Sequence, residues 1–254
     1  MAMKVAVVGG TGVLGKLVVA ELAARGDEVL AVSRRTPREL PDGASHRSVD
    51  LTTADGLEDA LNGVEVVVDA SSSSPRNAGP VLVEGTKRLL LAGAEAGARH
   101  YVGVSIVGCE RVPMAYYKVK VEQEEAIATS AIPWSLLRAT QFHTLIDHLF
   151  KQDARFGIVR SGSARFQPID PPLVAERLAG AAHADPAGRL TDVAGPEVLT
   201  LSELAKAWRR AGHRALPLRF PMIGPIGRPL REGALCNPDA AAGGPTFEEW
   251  LARG

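Results

Sequence analysis

Tyr116 and Lys120 are the two residues whose types and spacing most directly indicate chemistry in this sequence. They are four apart in a segment with helical pattern, and residues at positions i and i+4 lie on one face of a helix. A phenol has an ordinary pKa of about 10, so it donates a proton poorly at neutral pH. A nearby ammonium favours the phenolate and lowers that pKa. The spacing therefore predicts that Tyr116 protonates a carbonyl oxygen with help from Lys120.

Two neighbouring residues bear on this hypothesis. Tyr117 is the nearest rival as proton donor, but no lysine follows it four residues later. Ser105 stands at the carboxyl end of the fifth predicted strand, the end at which open parallel sheets bind their ligands. We predict that its hydroxyl polarises the oxygen that Tyr116 protonates.

A second pattern is a set of three glycines, Gly9, Gly12 and Gly15, between a strand-like apolar run and a helical one. In that context the first glycine permits a tight turn, the second lets the backbone contact a pyrophosphate, and the third lets helix and strand pack closely. The helix N-terminus would face the phosphates with unpaired N–H groups and a favourable dipole. The predicted cofactor contacts in this loop are Gly9, Thr11, Gly12, Val13, Leu14 and Gly15.

The end of the second predicted strand favours NADPH over NADH. NAD-binding chains usually carry Asp or Glu about 20 residues after the glycines, where it binds the ribose hydroxyls. Here that place holds Ser33, which is followed by Arg34 and Arg35. A guanidinium can bind a phosphate through two parallel hydrogen bonds. We therefore predict that Ser33, Arg34 and Arg35 surround the 2′-phosphate, with Arg34 as the first choice and Arg35 as its alternative.

Further cofactor contacts are predicted after two other strands. Asp50 and Leu51 follow the third strand and are placed to meet the adenine ring. Ala70 and Ser71 follow the fourth strand and are predicted to line the same ligand, because ligands of such sheets bind at the carboxyl ends of the strands.

Strands and helices alternate through the first half of the chain, and the strands are almost continuously apolar. This pattern indicates a parallel sheet covered on both faces, with right-handed connections. We predict an α/β fold with a doubly wound, mostly parallel Rossmann sheet. The predicted strands are Lys4–Val8, Glu28–Val32, Ser45–Val49, Val64–Asp69 and His100–Ser105, and the predicted helices are Val13–Arg25, Thr53–Leu61 and Pro80–Ala96.

The second half is less regular. Capping boxes at Thr200 and Thr246 each predict the start of a helix, whereas Arg214–Ala240, rich in Pro and Gly, is predicted to be irregular. We predict a dinucleotide-binding domain over residues 1–150. A mixed segment over 151–254 would return to the sheet and form a small irregular substrate subdomain or lid. Its other predicted elements, and those just before it, are helix Ala115–Ser130, strand Trp134–Arg138 and helix Leu173–His183.

Composition limits the classes of partner. The chain has 254 residues with 46% hydrophobic and 23% charged, and Lys plus Arg equals Asp plus Glu at 29 each. Nothing in this balance indicates a nucleic acid or an anionic membrane. No apolar run reaches the roughly 20 residues of a membrane span, and the first strand follows the start too closely for a signal peptide. Cys109 and Cys236 lack metal-type spacing. We predict a cytoplasmic protein with reduced thiols and no metal, either monomeric or homodimeric.

These residues together resemble the short-chain dehydrogenase/reductase superfamily, and within it the atypical, NmrA-like NAD(P)H-binding branch. The resemblance covers most of the chain up to about Ala211 and is thin beyond it. The motifs, besides the glycine loop and Asp50-Leu51, are Val83-Glu-Gly85-Thr86, Val104-Ser105-Ile-Val-Gly108, Tyr116-Tyr-Lys-Val-Lys120, Pro133-Trp-Ser-Leu-Leu-Arg138-Ala-Thr-Gln-Phe-His143 and Gly195-Pro-Glu-Val-Leu-Thr200.

The resemblance implies a nicotinamide-binding fold, usually with NADPH, in which Lys120 also binds the nicotinamide ribose. It implies substrate contacts at Gln141, Phe142 and His143, where His143 is either an acid/base or a wall of the pocket. One departure concerns Leu82, which stands where many relatives have an Asn that supports a proton relay.

Three functions follow from these hypotheses. The first is an NADPH-dependent oxidoreductase that reduces a small carbonyl or quinone-like molecule with Tyr116 as acid. The second is a dinucleotide-binding redox sensor that acts through a protein contact, without catalysis. The third is an epimerase of nucleotide-sugars, for which the C-terminal part looks short.

Overall fold

The predicted alternation of strands and helices forms a seven-stranded sheet in the computed structural model, which describes residues 2–253. Met1 and Gly254, the outer bounds of the two predicted domains, lie outside the described residues. In chain order the strands are β1 (Lys4–Val8), β2 (Glu28–Ser33), β3 (Ala44–Ser48), β4 (Val66–Asp69), β5 (His100–Ile106), β6 (Trp134–Ala139), β7 (Ile158–Ser161), β8 (Arg165–Phe166), β9 (Gly188–Arg189), β10 (Leu199–Thr200) and β11 (Leu216–Arg219).

The helices connect these strands. A π-helical turn at Gly79–Glu84 leads directly into the third helix. In chain order the α-helices are α1 (Gly15–Ala24), α2 (Leu57–Leu61), α3 (Gly85–Glu95), α4 (Ala115–Ala128), α5 (His143–Ala154), α6 (Pro171–His183), α7 (Leu201–Arg210), α8 (Gly224–Arg231) and α9 (Phe247–Leu251).

The main sheet has the order β3-β2-β1-β4-β5-β6-β9. Strand β1 pairs in parallel with β2 on one side and with β4 on the other. Strands β1 and β4 are buried at nearly every position, because each is covered on both faces. This burial explains their valine-rich sequences. The predicted doubly wound, parallel fold class is confirmed.

The chain divides into two compact units that interleave along the sequence. Unit 1 comprises Met1–Ser105, Lys118–Leu137 and Val174–Leu190, and unit 2 comprises Ile106–Tyr117, Arg138–Leu173 and Thr191–Gly254. From the sequence we predict instead a single domain boundary, at residue 150. The segment after that residue does supply β9 to the main sheet.

Each unit has apolar clusters of its own. In unit 1 the cluster joins residues of the sheet to helices α2 and α3, with Leu61 and Leu89 fully buried. In unit 2 a cluster of α5, α7 and α9 buries Trp208 and Phe247. A second cluster of unit 2 contains Leu230 and Leu235. Unit 2 therefore has packed apolar clusters of its own.

Two local predictions are wrong, and one helix was missed. The helix predicted from Thr53 begins only at Leu57, because Ala54 and Gly56 have left-handed φ values of 68° and 76°. The region Arg214–Ala240 contains β11 and α8 although it was predicted to be irregular. Two of its prolines are at tolerated positions, because Pro225 lies in the first turn of α8 and Pro217 lies on a strand of a two-stranded sheet, whereas Pro229 lies inside α8. Helix α5 was not predicted at all.

The capping boxes behave as predicted. Thr200 and Thr246 each accept a bond from a backbone N–H three residues later, and the glutamate at that position bonds back. Among the helices of residues 2–253, none is both long and apolar enough to cross a membrane.

Candidate functional site

The carboxyl ends of three neighbouring strands of unit 1 lie side by side. In the β1–β4 pair Val8 is opposite Asp69, and in the β4–β5 pair Asp69 is opposite Gly103. The glycine turn after β1, Ala70-Ser71 after β4 and Ser105 in β5 therefore share one edge of the sheet. Three of the predicted sites are brought together in this way, as the topology of a parallel sheet requires.

The glycine turn is fixed by close approach of backbone segments. Gly9 has a φ of 74°, and a Cβ there would lie 2.7 Å from Ala70 O and 2.8 Å from Ser71 Cα. A Cβ at Gly15 would collide with Gly9 O, whereas one at Gly12 would meet only Gly9 O, at 3.2 Å. The fold itself thus requires Gly9 and Gly15. It leaves Gly12 exposed at the surface of the turn, as a close backbone approach by a ligand would need.

Helix α1 begins directly after this turn without a side-chain cap. Leu14 occupies the N-cap position, no side chain bonds to the first turn, and the first turn has no acidic residue. An uncapped N-terminus offers N–H groups and the positive end of the helix dipole to an anion. Thr11 is half-buried and Val13 is 52% exposed beside it, while Leu14 is buried. The arrangement fits the pyrophosphate of a dinucleotide.

The loop after β2 is held by serine hydroxyls. Ser33 Oγ donates to Arg35 O at 2.9 Å, and Ser48 Oγ lies 3.4 Å from Arg34 O. Ser33 Oγ also lies 3.1 Å from His46 Nε2. Because the backbone of the loop is fixed while the side chains of Arg34 and Arg35 are exposed, the two guanidinium groups can reach a ligand at this edge.

Asp50 and Leu51, the predicted adenine contacts, have different surroundings. Asp50 Oδ1 accepts hydrogen bonds from Thr52 N at 2.9 Å and from Thr52 Oγ1 at 2.7 Å. These bonds hold the pKa of Asp50 below its usual value. Leu51 is buried in the apolar cluster of unit 1, and its carbonyl accepts from Arg88 at 3.1 Å.

Asp69 anchors the loop after β4. Its Oδ1 accepts from Ser71 N at 2.9 Å, and its Oδ2 accepts from the Tyr101 hydroxyl at 2.6 Å. The Ser71 hydroxyl is buried and has no hydrogen-bond partner among residues 2–253. Neither Asp69 nor Tyr101 was selected from the sequence, although a carboxylate at the end of a valine run is an available signal.

Lys120 is buried, with 5% of its surface exposed. Its Nζ donates to Val104 O at 2.9 Å, and also to Gln123 Oε1. Val104 immediately precedes Ser105, so the ammonium is fixed next to the predicted site in β5. The Ser105 hydroxyl is itself buried and, within the described part of the chain, has no hydrogen-bond partner. A buried hydroxyl without a hydrogen-bond partner costs free energy of folding. Such a hydroxyl is a candidate for a hydrogen bond to a bound ligand.

Tyr116 lies in the first turn of α4 and belongs to unit 2. Its ring centroid is 6.2 Å from that of Tyr117, in an edge-to-face arrangement. Both rings are half-buried. Burial raises the pKa of Tyr117 to about 12.

Gln141, Phe142 and His143 follow β6 in unit 2 and contact different segments. Gln141 Nε2 donates to Leu235 O at 3.2 Å, whereas its Oε1 is buried without a partner in residues 2–253. Phe142 is half-buried and occupies the N-cap position of α5. His143 is fully buried, and its Nε2 lies 3.1 Å from Pro245 O.

The surroundings of His143 are those of a packed side chain. Its ring centroid lies 5.7 Å from that of Phe247 and 5.6 Å from that of Trp250. Burial lowers the pKa of His143 to about 4, so the ring is neutral at physiological pH. Over residues 2–253, no three His, Cys, Asp or Glu side chains are grouped so that they could hold a metal ion.

Comparison with known sequences identifies related families. A family described as NAD(P)H-binding matches residues 9–149. The (4-alkanoyl-5-oxo-2,5-dihydrofuran-3-yl)methyl phosphate reductase of Streptomyces griseus subsp. griseus is 30% identical over 230 residues, which cover 86% of this chain and 76% of that protein. An uncharacterised protein of Mycobacterium tuberculosis is 28% identical over 243 residues, 90% of this chain but only 24% of that protein. The chain thus spans about a quarter of the length of the first curated relatives it matches.

Comparison with solved structures supports the same fold. An NADPH-dependent quinone oxidoreductase of Escherichia coli, in complex with NADPH, superposes with a TM-score of 0.78 over 98% of this chain and 99% of that one. The two sequences are 18% identical, so the likeness is one of fold.

Proposed function

Because the chain belongs to the NAD(P)H-binding family, we propose that it is an NADPH-dependent oxidoreductase that reduces a small carbonyl or quinone-like substrate. The resemblance to the NmrA-like branch, drawn above from motifs, is confirmed by that membership. The observation that carries the proposal is that the buried ammonium of Lys120 donates to the carbonyl of Val104, directly before Ser105, whose buried hydroxyl has no hydrogen-bond partner among residues 2–253. The named reductases among the relatives support the same class of reaction.

The cofactor is held by the edge of unit 1. The glycine turn and the N-terminus of α1 bind the pyrophosphate, and Ser71 supplies a hydroxyl beside them. Arg34 and Arg35 bind the 2′-phosphate, which selects NADPH. When bound, NADPH supplies the hydride.

Tyr116 supplies the proton. As negative charge develops on the carbonyl oxygen of the substrate, the Tyr116 hydroxyl transfers its proton to that oxygen, and the resulting phenolate is stabilised by the Lys120 ammonium. The Ser105 hydroxyl donates a hydrogen bond to the same oxygen and so fixes its position. Lys120 in addition binds the nicotinamide ribose.

Substrate contact is assigned to Gln141 and Phe142. The buried Oε1 of Gln141 has no hydrogen-bond partner among residues 2–253, and Phe142, the next residue along the chain, offers an apolar ring. His143 has a packing role in this proposal, because its ring is enclosed by two aromatic side chains and is neutral. Unit 2 as a whole then determines the substrate, while unit 1 determines the cofactor.

The test is NADPH oxidation by the purified protein against a panel of aldehydes, ketones and quinones. Tyr116→Phe keeps the ring and removes the proton donor, so turnover of a carbonyl substrate should fall roughly 10²–10⁴-fold while NADPH affinity stays nearly constant. Tyr117→Phe is the matched control and should keep most of the activity. Unchanged turnover in Tyr116→Phe would remove Tyr116 from the mechanism. Tight NADPH binding with no turnover of any panel compound would favour the sensor.

A further inference from the structure

A buried polar network lies behind Lys120 in unit 1. Besides Lys120 it contains Gln123 on α4, Thr86 on α3, and Asp69 and Tyr101 on two strands of the sheet. All five side chains are at most 5% exposed. Four secondary structure elements thus converge on one water-excluded set of polar atoms.

The side-chain amide of Gln123 is the centre of the network. Its Oε1 accepts from Lys120 Nζ, and its Nε2 lies 3.0 Å from Thr86 Oγ1 and 3.4 Å from Asp69 Oδ2. Asp69 Oδ2 is held in turn by the Tyr101 hydroxyl at 2.6 Å. One amide therefore stands between a buried ammonium and a buried carboxylate.

The orientation of that amide is dictated by charge. An amide oxygen accepts and an amide nitrogen donates, so only one orientation satisfies both an ammonium and a carboxylate. Hydrogen bonds to ionised groups are stronger than those between neutral groups, and a polar group in a buried network is costly to leave unpaired. The Gln123 amide is consequently fixed, and it fixes the position of the Lys120 ammonium.

The spacing along α4 relates this network to the proposed proton donor. Tyr116, Lys120 and Gln123 stand at positions i, i+4 and i+7, which form one stripe of a helix. Lys120 lies between the other two on this stripe. Leu82, where the family's relay asparagine would stand, is fully buried and apolar, so it offers no polar contact to Lys120.

We propose that Gln123 is a positioning residue for the reaction: its amide bridges Lys120 to Asp69 and holds the Lys120 ammonium where it stabilises the phenolate of Tyr116. This inference rests on the proposed function, because it concerns how Lys120 assists Tyr116. A purely structural role would be different, since Gln123 would then contribute to stability without affecting the ionisation of Tyr116.

The ionisation of Tyr116 can be measured directly by the near-ultraviolet absorbance of tyrosinate. The chain has 3 tyrosines. Burial and the adjacent Asp69 carboxylate raise the pKa of Tyr101, and burial raises the pKa of Tyr117 to about 12, so both ionise late. Tyr117 is a titratable neighbour of Tyr116, and the Cys109 thiol acts on the ionisation of Tyr117. The tyrosinate step of Tyr116 is identified by its absence from the Tyr116→Phe variant.

Three variants of the ligand-free protein separate the possible roles. Lys120→Met removes the ammonium, so it should give the largest shift in the pH at which Tyr116 ionises. Gln123→Met keeps the length of the side chain but removes both polar contacts, and it should move that step to higher pH, with at least about a threefold change in ionisation constant. Thr86→Val is the matched control, because it removes a partner of Gln123 and of Asp69 that is not bonded to Lys120. It should leave the Tyr116 step in place even where it lowers thermal stability.

The outcomes separate the two proposals. If Lys120→Met shifts the Tyr116 step and Gln123→Met does not, the positioning role of Gln123 is wrong and the proposed function stands. If Lys120→Met has no effect on that step, the assistance of Tyr116 by Lys120 fails, and the role of Gln123 fails with it. Circular dichroism establishes that each variant is folded. Should Gln123→Met not fold, Gln123→Asn, which keeps the amide but shortens its reach by one methylene, is expected to give the same upward shift, and an unshifted step there would overturn the inference.

Discussion

At the residue scale, we propose that cofactor selectivity depends on Arg34 and Arg35. Their side chains are exposed, but the backbone that carries them is tied down, since Ser33 bonds to Arg35 O and is itself in contact with His46. A preordered loop loses less conformational entropy when a guanidinium closes on a phosphate. Serine at the strand end also lacks the negative charge with which an acid would repel that phosphate.

We predict that the wild-type protein binds NADPH at least about tenfold more tightly than NADH, because a charge-assisted hydrogen bond contributes about 1.5–3 kcal/mol. Arg34→Ala or Arg35→Ala should lose most of this preference while keeping NADH affinity. Titration of both cofactors into each variant, followed by nicotinamide fluorescence, makes the measurement. Arg177→Ala, an exposed arginine on α6 of the same unit, is the control. Equal affinities in the wild type would mean that both arginines face solvent only.

The residues that sequence alone could select are those that stand in a motif. Gly9, Lys120 and Ser105 were recognisable by spacing, because each spacing has a local geometric meaning. Gln123, Thr86 and Tyr101 were not, because their roles depend on contacts between residues 32 to 54 positions apart. Only the packing of α3 and α4 against the sheet makes these side chains neighbours.

At the scale of elements, we propose that cofactor binding depends most on the glycine turn. In Gly15→Ala the new methyl group would collide with Gly9 O, so the turn must open. We expect at least about a tenfold loss of affinity for both NADPH and NADH, since the pyrophosphate site is common to the two. Gly79→Ala is the matched control, because a Cβ at that helical position meets nothing within 4 Å. Undiminished binding by folded Gly15→Ala protein would show that the pyrophosphate does not depend on this turn.

The segment that leads into α8 is the element we connect with substrate choice. Ile223 is 76% exposed at the N-cap position of α8, whereas Met222 is partly buried against the clusters of unit 2. Ile223→Ala should therefore change the KM for the best panel substrate and leave both stability and NADPH affinity unaltered. Leu91→Ala, which truncates an exposed leucine on α3 of unit 1, should change none of the three. An unaltered KM in Ile223→Ala would exclude Ile223 from the substrate surface.

Secondary structure elements could be predicted from the sequence where the local conformational preference of the residues agrees with their tertiary packing. The valine-rich strands and the two capping boxes are of this kind. Helix α8 and strand β11 were not predicted, because glycine and proline disfavour both and only contacts within unit 2 select them. Gly227, for example, is required where the helix approaches the backbone of Met222, which no local pattern indicates.

Stability of the whole molecule should depend on pH through His143. Its folded-state pKa of about 4 lies below the ordinary value of 6.5, so the unfolded chain binds more protons between these two values. The contribution of the neutral ring is therefore complete above about pH 7 and is lost as the pH falls. A shift of this size corresponds to about 2 kcal/mol of unfolding free energy between about pH 7 and pH 5.

Denaturant unfolding of the wild type and of His143→Leu at these two pH values isolates the effect. We expect the stability advantage of the wild type over the variant to fall by about 2 kcal/mol on acidification. His148→Leu is the control, because His148 is an exposed residue of the same helix and should show no such change. A constant difference between wild type and His143→Leu would mean that His143 is protonated in the folded state.

At the scale of the molecule, the class of fold followed from the sequence, whereas the division into units did not. Apolar strands that alternate with helices indicate a parallel, doubly wound sheet, so the class of fold was accessible. The units interleave because the chain leaves unit 1 after Ser105 and again after Leu137. Both boundaries between the units lie within strands, Ser105 in β5 and Leu137 in β6. The amino-acid composition does not change there, and no linker marks the boundaries.

The central claim is that bound NADPH reduces a carbonyl carbon with Tyr116 as the proton donor. The most direct measurement uses NADPH that carries deuterium at the transferable position, a carbonyl compound from the panel, and mass spectrometry of the product. The account predicts one deuterium on the carbinol carbon of the product formed by the wild-type protein, and the same labelling roughly 10²–10⁴-fold more slowly with Tyr116→Phe. A protein that binds NADPH tightly and transfers no deuterium to any carbonyl compound would contradict the account.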